Sequence, residues 1–587
     1  MPRFSALTAS VDWLRRRFRA SDGWFIGLAA AVGAIAGLLT VLQNSIAHAL
    51  QARFFGLAPD TRLSLSAHFD PAQLLVLPLG GLLLGGFTVL VRARRRALVD
   101  AVEANALHGG RMSMRDNLVV STQTVLSNGF GASVGLEAAY AQMGAGAGSH
   151  LGRVLRLRRA DMRTLVGAGA GGAIAAAFGA PLTGAFYAFE IVIGAYSPSA
   201  LAPVAAAALA GTFVAQAMGL TPYLLTVPEV APLRPRDYGI AIAIGMLCAL
   251  AGVAIMRLVA WVEQHVNATR IPYWLRPAVG GMLLVPLAML SPQVLSAGHG
   301  ALHADLVAGA TLTFLATVFV LKSAASVLSL GFGFRGGLFF ASLFLGTLLG
   351  SLFAKGIDAS LGFQLVDPTN ASLVAMAALA AGIIGSPMTM AMLVLEATHD
   401  FVLTSAVMAA VLVTSTLVRQ VFGYSFSTWR LHLRGESIKS ARDVGWMRAL
   451  SAGKLMQLNP DAAPAHLTVA ELRQRFPLGS VNRVVLVDVD GRYVGIVPLS
   501  ALYADRVRET DPVERFARMQ DRVLRADMGI TAVMRAFDAA QTDELAVVDA
   551  DHRLLGLLTE AFVRRRYAEE LEQKHREMLG ERLETAD

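Results

Sequence analysis

The sequence predicts an all-α, polytopic membrane protein made of two related halves with broken helices, followed by a small α/β domain. Composition is the first observation behind this. Of 587 residues, 55% are hydrophobic and 16% charged, with a mean hydropathy of +0.53, whereas about a quarter of an ordinary soluble chain is charged. The second is a string of residues that recurs at offsets of 202 and 206. The third is a change of code near residue 441. Residues 441–587 carry 21 Lys+Arg and 24 Asp+Glu, a net of −3, while residues 1–440 carry 30 and 19, a net of +11. The single cysteine, Cys248, excludes a disulfide framework and a cysteine-built metal site. A pI near 9.8 raises nucleic acid as a partner, but the arginines cluster beside apolar spans without an aromatic stripe, so none is expected.

A bilayer core takes about 20 apolar residues to cross as a helix. Stretches of that kind lie at 24–50, 73–91, 198–219, 237–262, 310–331, 336–354, 371–397 and 401–421. Residues 1–22, polar and carrying Arg15, Arg16, Arg17 and Arg19, read as an amphipathic helix on the cytoplasmic surface rather than a leader. The positive-inside rule then puts Arg92, Arg94, Arg95 and Arg96, and the cluster Arg153, Arg156, Arg158, Arg159 and Arg163, on that same side. Segments 98–107, 115–130, 136–150, 165–178 and 181–193 are apolar but short, and glycine or proline interrupts them. Helices that stop at mid-membrane are tolerated only where protein or a water-filled cavity meets their ends, a mark of transporters and channels.

The repeat defines the architecture. Gly131, Gly135, Leu136, Gly144, Gly148 and Ser149 match Gly333, Gly337, Leu338, Gly346, Gly350 and Ser351; Gly179, Pro181, Thr183, Ala185 and Glu190 match Gly385, Pro387, Thr389, Ala391 and Glu396. Close helix packing accounts for glycines in general, but not for the shared Gly-x-Pro-x-Thr-x-Ala-x₄-Glu string. Two such halves, inverted or parallel, place a binding site at the midplane between them.

Glycines just ahead of a helix leave backbone N–H groups exposed, and the helix dipole adds positive potential. Two such starts, Gly135-Leu136-Glu137-Ala138 and Gly337-Leu338-Phe339-Phe340, converging on one point would make a neutral anion site. Glu137 at one of them could be a simple cap, but an ionisable residue in a span is a functional candidate. Ionised, it competes with an anion for the same N–H groups; protonated, it swings away. It is expected to be a gate.

At these residues the chain resembles the CLC family of chloride channels and chloride/proton exchangers, over most of 24–433. Gly135-Leu136-Glu137-Ala138-Ala139 stands at the family's Gly-Lys/Arg-Glu-Gly-Pro position, Gly337-Leu338-Phe339-Phe340-Ala341 at Gly-x-Phe-x-Pro, and Ala177-Phe178-Gly179-Ala180-Pro181-Leu182 looks like its Asn-Ala-Pro-Leu helix start. The resemblance implies two inverted structural repeats and a homodimer with one anion pathway per subunit. It makes Glu137 the gating glutamate, and the N–H groups of Leu136, Glu137, Ala138, Leu338, Phe339 and Phe340 the anion ligands. The family's Gly-Ser-Gly-Ile-Pro motif is absent, its place taken by Arg95-Arg96-Ala97-Leu98-Val99, so that Arg95 or Arg96 would sit at the inner mouth. The tyrosine that supplies the other central hydroxyl is replaced by Phe426, with Tyr424 two residues away. The internal proton-accepting glutamate of the exchangers is replaced by Ile191, after a structural Glu190.

Other signals are plainer. Gly167-Ala168-Gly169-Ala170-Gly171-Gly172 has no strand before it and reads as helix packing. His299, His303 and Asp305 read as surface residues rather than a metal site, and Lys322 as facing an interior or aqueous surface. No cofactor, metal or enzyme constellation is expected.

In the C-terminal part, Leu486-Val487-Asp488-Val489-Asp490…Gly495 is echoed 61 residues on by Val547-Val548-Asp549-Ala550-Asp551…Gly556, each copy reading strand, turn, strand, helix, with Asp490-Gly491 a hairpin turn. Such a pair resembles tandem CBS motifs, which can bind adenine nucleotides. The residues such sites use, a Thr or Ser and then an Asp, are here Thr559 and Phe562, and Pro498 and Ala501, which favours a dimerising platform. The expected division is 1–22 N-terminal helix, 23–218 first repeat, 219–235 extracytoplasmic linker, 236–436 second repeat, 437–446 linker, 447–567 CBS-like pair and 568–587 charged tail. Function is expected to be passage of chloride or a related small anion across the cell's inner membrane, channel-like or weakly proton-coupled. A strictly coupled antiporter and a non-conducting membrane sensor are the alternatives.

Overall fold

Inside a bilayer each backbone N–H and C=O must be satisfied within the protein, and the apolar stretches accordingly form helices. The computed structural model describes residues 21–579 except 59–60, 67, 92–97, 221–230, 303–309, 427, 430–449 and 505–506. The chain divides into two compact units, Met1–Asp443 and Val444–Asp587. Residues 1–20, Arg95, Arg96, most of the 219–235 linker and the whole 437–446 linker lie outside the described residues.

The first half of the larger unit holds α1 (Asp22–Phe55), α2 (Val76–Val91), α3 (Ala101–Leu107), α4 (Met114–Gly129), α5 (Glu137–Val154), α6 (Arg159–Phe178), α7 (Pro181–Tyr187, continued by the π-helical turn Ala188–Ile193) and α8 (Pro198–Ala217). The second holds α9 (Pro235–Ala268), α10 (Arg276–Leu290), α11 (Leu312–Gly331), α12 (Phe339–Leu361), α13 (Pro368–Ile384), α14 (Pro387–Thr398) and α15 (Phe401–Val421). Both halves open with a 34-residue helix and repeat the same order of long and interrupted helices, as an inverted-repeat membrane fold does. Among the described residues, seven helices are long and apolar enough to cross a membrane. Two expectations need correction. The stretch 371–397 is not one span, because Gly385 takes a left-handed φ of 86° and Pro387 starts a new helix. The 15-residue α10 was missed, since Pro286 interrupts it and it falls short of a spanning length.

The repeated glycines do the same work in both halves. A Cβ on Gly144 would strike the carbonyl oxygen of Gly169, and one on Gly148 that of Leu165; Gly346 and Gly350 stand likewise against Ala375 and Ala371. These contacts let α5 close on α6, and α12 on α13, at backbone distance. The Gly167–Gly172 run lies buried inside α6.

The repeated glutamates tie the halves together. Glu190, in the turn after α7, accepts hydrogen bonds from Met388 N (3.0 Å), Thr389 N (2.9 Å) and Thr389 Oγ1 (2.7 Å) at the start of α14. Glu396 near the end of α14 returns the pattern, accepting from Leu182 N (2.7 Å), Thr183 N (2.8 Å) and Thr183 Oγ1 (2.7 Å) at the start of α7. Each carboxylate thus caps the other half's broken helix, where the dipole favours negative charge.

The smaller unit is built from two copies of one α/β motif. In the first, β2 (Ala462–Pro464), α16 (Val469–Arg475), β3 (Arg483–Val487) and β4 (Tyr493–Pro498) follow β1 (Gln457–Leu458). In the second come β5 (Val523–Arg525), α17 (Ile530–Ala540), β6 (Glu544–Val548), β7 (Leu554–Thr559) and α18 (Glu560–Leu579). The sheets run β2-β3-β4 and β1-β7-β6-β5, each copy with one parallel pair and one antiparallel hairpin. Asp488 Oδ1 accepts from the N–H groups of Asp490 and Arg492 (2.9 and 2.8 Å), and Asp549 Oδ1 from those of Asp551 and Arg553 at the same distances. The two hairpins meet at an Arg492–Arg553 bridge. The first copy ends in a 3₁₀ turn, Leu499–Tyr503, where a helix was expected. α18 runs through residue 568 without a break.

Glu190→Gln and Glu396→Gln should each destabilise the larger unit by a similar amount, about 1–3 kcal/mol for a loosened charged cap. Apparent thermal midpoints in detergent check this; a loss for one variant only would contradict the symmetric arrangement.

Candidate functional site

α5 and α12 start where they do because two loops pair across the interface of the halves. Gly131 and Gly333 turn the chain with φ of 86° and 95°. The loops then form an antiparallel bridge, Gly135 N donating to Gly337 O (2.9 Å) and Gly337 N to Gly135 O (3.3 Å). Two serines lock it. Ser329 Oγ accepts from Ser133 N, and Ser127 Oγ from Arg335 N, both at 3.0 Å, while each hydroxyl donates to a carbonyl one turn back, Ala325 O and Gln123 O. Four partners related by the same offset of 202 hold the two helix starts face to face.

The first N–H groups of an α-helix have no partner within it. Among the described residues those of Leu136, Glu137, Ala138, Leu338 and Phe339 find no backbone acceptor. Glu137, Ala138, Leu338, Phe339, Phe426 and Ile191 line one cavity of about 130 Å³. Leu136 faces instead a pocket of about 10 Å³ that it shares with His48, Arg62, Ser296 and His299; that is room for about one water. Phe340 is outside both linings and packs on His299 and Phe178, with ring centroids 3.8 and 6.3 Å apart.

Glu137 is buried, with 2% of its side chain exposed, and separates the cavity from the pocket. Its carboxylate is turned toward the N–H groups of Glu137 itself and Phe340, without a hydrogen bond of regular geometry to either oxygen among the described residues. It lies so close over Gly135 that a Cβ there would overlap Oε2. His299 Nε2 stands 3.8 Å from Oε1.

Four residues acquire a place here that their sequence context did not show. His299, expected at the surface, is buried at 8% exposure, because the loop after α10 folds inward between the halves. His303 and Asp305 lie outside the described residues. Lys322, fully buried in α11, donates to Val294 O (3.1 Å) and Ser296 O (2.7 Å) and so anchors that loop. Asp100, whose Oδ1 caps α3 by accepting from Glu103 N (2.8 Å), lines the larger cavity, as does Tyr187. Tyr424, the nearby tyrosine in sequence, stacks instead with Phe422 and Trp429.

Two inverted halves whose helix starts meet at a buried cavity define a membrane transport protein. A family profile described as voltage gated chloride channel matches residues 80–419. A ClcB-like chloride channel protein of Ralstonia nicotianae is 30% identical over 394 residues, covering 66% of this chain and 91% of that one. The structure of a slow cyanobacterial Cl⁻/H⁺ antiporter superposes with a TM-score of 0.61 at 20% identity, over 70% of this chain and 97% of that one. A eukaryotic CLC transporter does so at 0.61 and 16%, over 91% and 97%. The chain belongs to the voltage-gated chloride channel (CLC) family, and its function is anion transport.

Gly135→Ala should displace the Glu137 carboxylate and change the pH dependence of anion flux from liposomes. Gly337→Ala, whose methyl would meet nothing closer than Ala138 Cβ at 3.7 Å, should leave it unaltered. Equal effects would contradict the placement of the carboxylate over Gly135.

Proposed function

We propose that chloride or a related small anion passes through the cavity between α5 and α12, that Glu137 is its gate, and that conduction is channel-like or weakly proton-coupled. The N–H groups of Leu136, Glu137, Ala138, Leu338, Phe339 and Phe340 are the ligands. The observation that carries this reading is the Glu137 carboxylate, buried at the start of α5 and turned toward the N–H groups of Glu137 and Phe340 that an anion would use. A carboxylate in that place excludes an anion by charge and volume, and leaves when protonated. Phe426 brings no hydroxyl to the cavity, and hydrogen bonds to a charged ligand are worth about 1.5–3 kcal/mol each, so anion binding at the centre is weak and passage fast.

Strict proton antiport is the second reading. Ile191, on the cavity wall, cannot accept a proton, but Asp100 presents a carboxyl to the same cavity and Tyr187 a hydroxyl. In this reading Asp100 receives protons from the side opposite Glu137. The positive-inside rule makes the arginine-rich end of α5 cytoplasmic and the membrane the cell's inner one. We read the protein as a homodimer, and the Val444–Asp587 unit as a CBS pair that serves as a dimerising platform. The hairpin pairing at Arg492 and Arg553 joins the two copies within one chain and supports their reading as a pair.

Joint recording of chloride and proton movement from reconstituted liposomes tests both readings. Glu137→Ala should raise chloride flux several-fold at neutral pH and flatten its pH dependence; an unaltered profile removes Glu137 from the gate. Uphill proton movement that Asp100→Asn abolishes, with chloride flux retained, would establish antiport through Asp100.

A further inference from the structure

A close contact of Glu137 joins the two halves: the carboxylate begins α5, and the imidazole of His299 lies on the segment between α10 and α11. Nε2 and Oε1 are 3.8 Å apart, with the side chains 10% and 2% exposed. That loop is pinned from several directions. Ser296 N donates to Gly131 O (3.0 Å), Ser296 Oγ accepts from Asn128 Nδ2 (3.0 Å), Lys322 holds the carbonyls of Val294 and Ser296, and Gly300 N donates to Ser64 Oγ (3.0 Å). Gly298 turns with φ 93°, and a Cβ on it would strike the Phe344 ring. The Phe340 ring, 3.8 Å away between centroids, fixes the imidazole from one face. Polar anchors on Val294 and Ser296 before it and Gly300 after it thus fix the backbone on both sides of His299.

We propose that His299 is a positioning residue for the gate: its imidazolium holds the Glu137 carboxylate ionised and seated over Gly135, so that the gate opens only at more acidic pH. An opposite charge within about 4–6 Å favours the ionised carboxyl, in a buried site more than in water, and the two groups titrate as a unit. Other charges surround the pair without entering it. His48 from α1 and Arg62 share the small pocket with His299, and Lys322 is bound to carbonyls behind it. Asp100, Tyr187 and Arg335 face Glu137 from the cavity. They set a background field that substitution of His299 leaves in place. The inference rests on the reading of Glu137 as gate.

The test is chloride efflux from liposomes against pH, with the full-length chain. His299→Phe should move the pH of half-maximal flux upward by about one unit or more, the lower end of what a neighbouring charge does to a carboxyl. His299→Gln, which keeps a polar side chain, should do the same if the phenylalanine variant fails to fold. His299→Lys, which puts an ammonium in place of the imidazolium, should leave the midpoint at or below the wild-type value. All three shifts should vanish in a Glu137→Gln background. Shifts of one sign for Phe and Lys, no shift at all, or shifts that persist beside Glu137→Gln would overturn the proposal. A wild-type pH profile for Glu137→Gln alone would instead sink the gate reading on which it stands.

Discussion

A helix that begins inside a bilayer exposes N–H groups that no water can satisfy, and the rest of this structure follows from how four such beginnings are treated. At α7 and α14 the answer is permanent. Glu396 and Glu190 each supply a carboxylate that takes two N–H groups and a threonine hydroxyl. At α5 and α12 the residues Glu137, Ala138, Leu338 and Phe339 line a cavity, and their N–H groups have no backbone acceptor. The same physical deficit is thus closed where the halves must adhere and kept open where an anion must pass.

Leaving those groups open demands that the loops be held by something else. The Gly135–Gly337 bridge and the crossed bonds of Ser127 and Ser329 do this with backbone and hydroxyl groups alone. Neutral partners add no charge to trap a permeating anion. Of the charged groups, Lys322 stands behind and is bound to carbonyls, while Glu137, Asp100 and Arg335 line the cavity, Glu137 set against His299. The glycines follow from the same geometry, since α5 can meet α6, and α12 meet α13, at backbone distance only without side chains at Gly144, Gly148, Gly346 and Gly350.

Much of this was legible in the chain. Glycine, proline and the recurring glutamate form a local code: the matched strings mark the helix starts of both halves and an acidic residue in an apolar segment needs a reason, although the apolar run 371–397 hid the break at Gly385 and Pro387. The offset of 202 therefore located both helix starts, and one cavity is lined by Glu137, Ala138, Leu338, Phe339, Phe426 and Ile191, while Leu136 and Phe340 lie outside it. Other positions were opaque for a physical reason. Asp100 reads as an ordinary helix cap, which it also is. His299 sits among glycines that suggest an exposed loop, and Lys322 lies in an apolar run with no partner nearby in sequence.

The sequence by itself determined the two membrane halves, their kinship, the broken helices and the separate α/β unit, because each of these is written in short-range periodicity, composition or self-similarity. Only the tertiary structure decided which groups meet across the halves: Glu190 with α14, Lys322 with the carbonyls of Val294 and Ser296, His299 with Glu137. Those contacts join residues far apart in the chain, and no local propensity encodes a distance between them. They arise when the loops after α4, α10 and α11 are folded against one another and the buried polar groups must find partners.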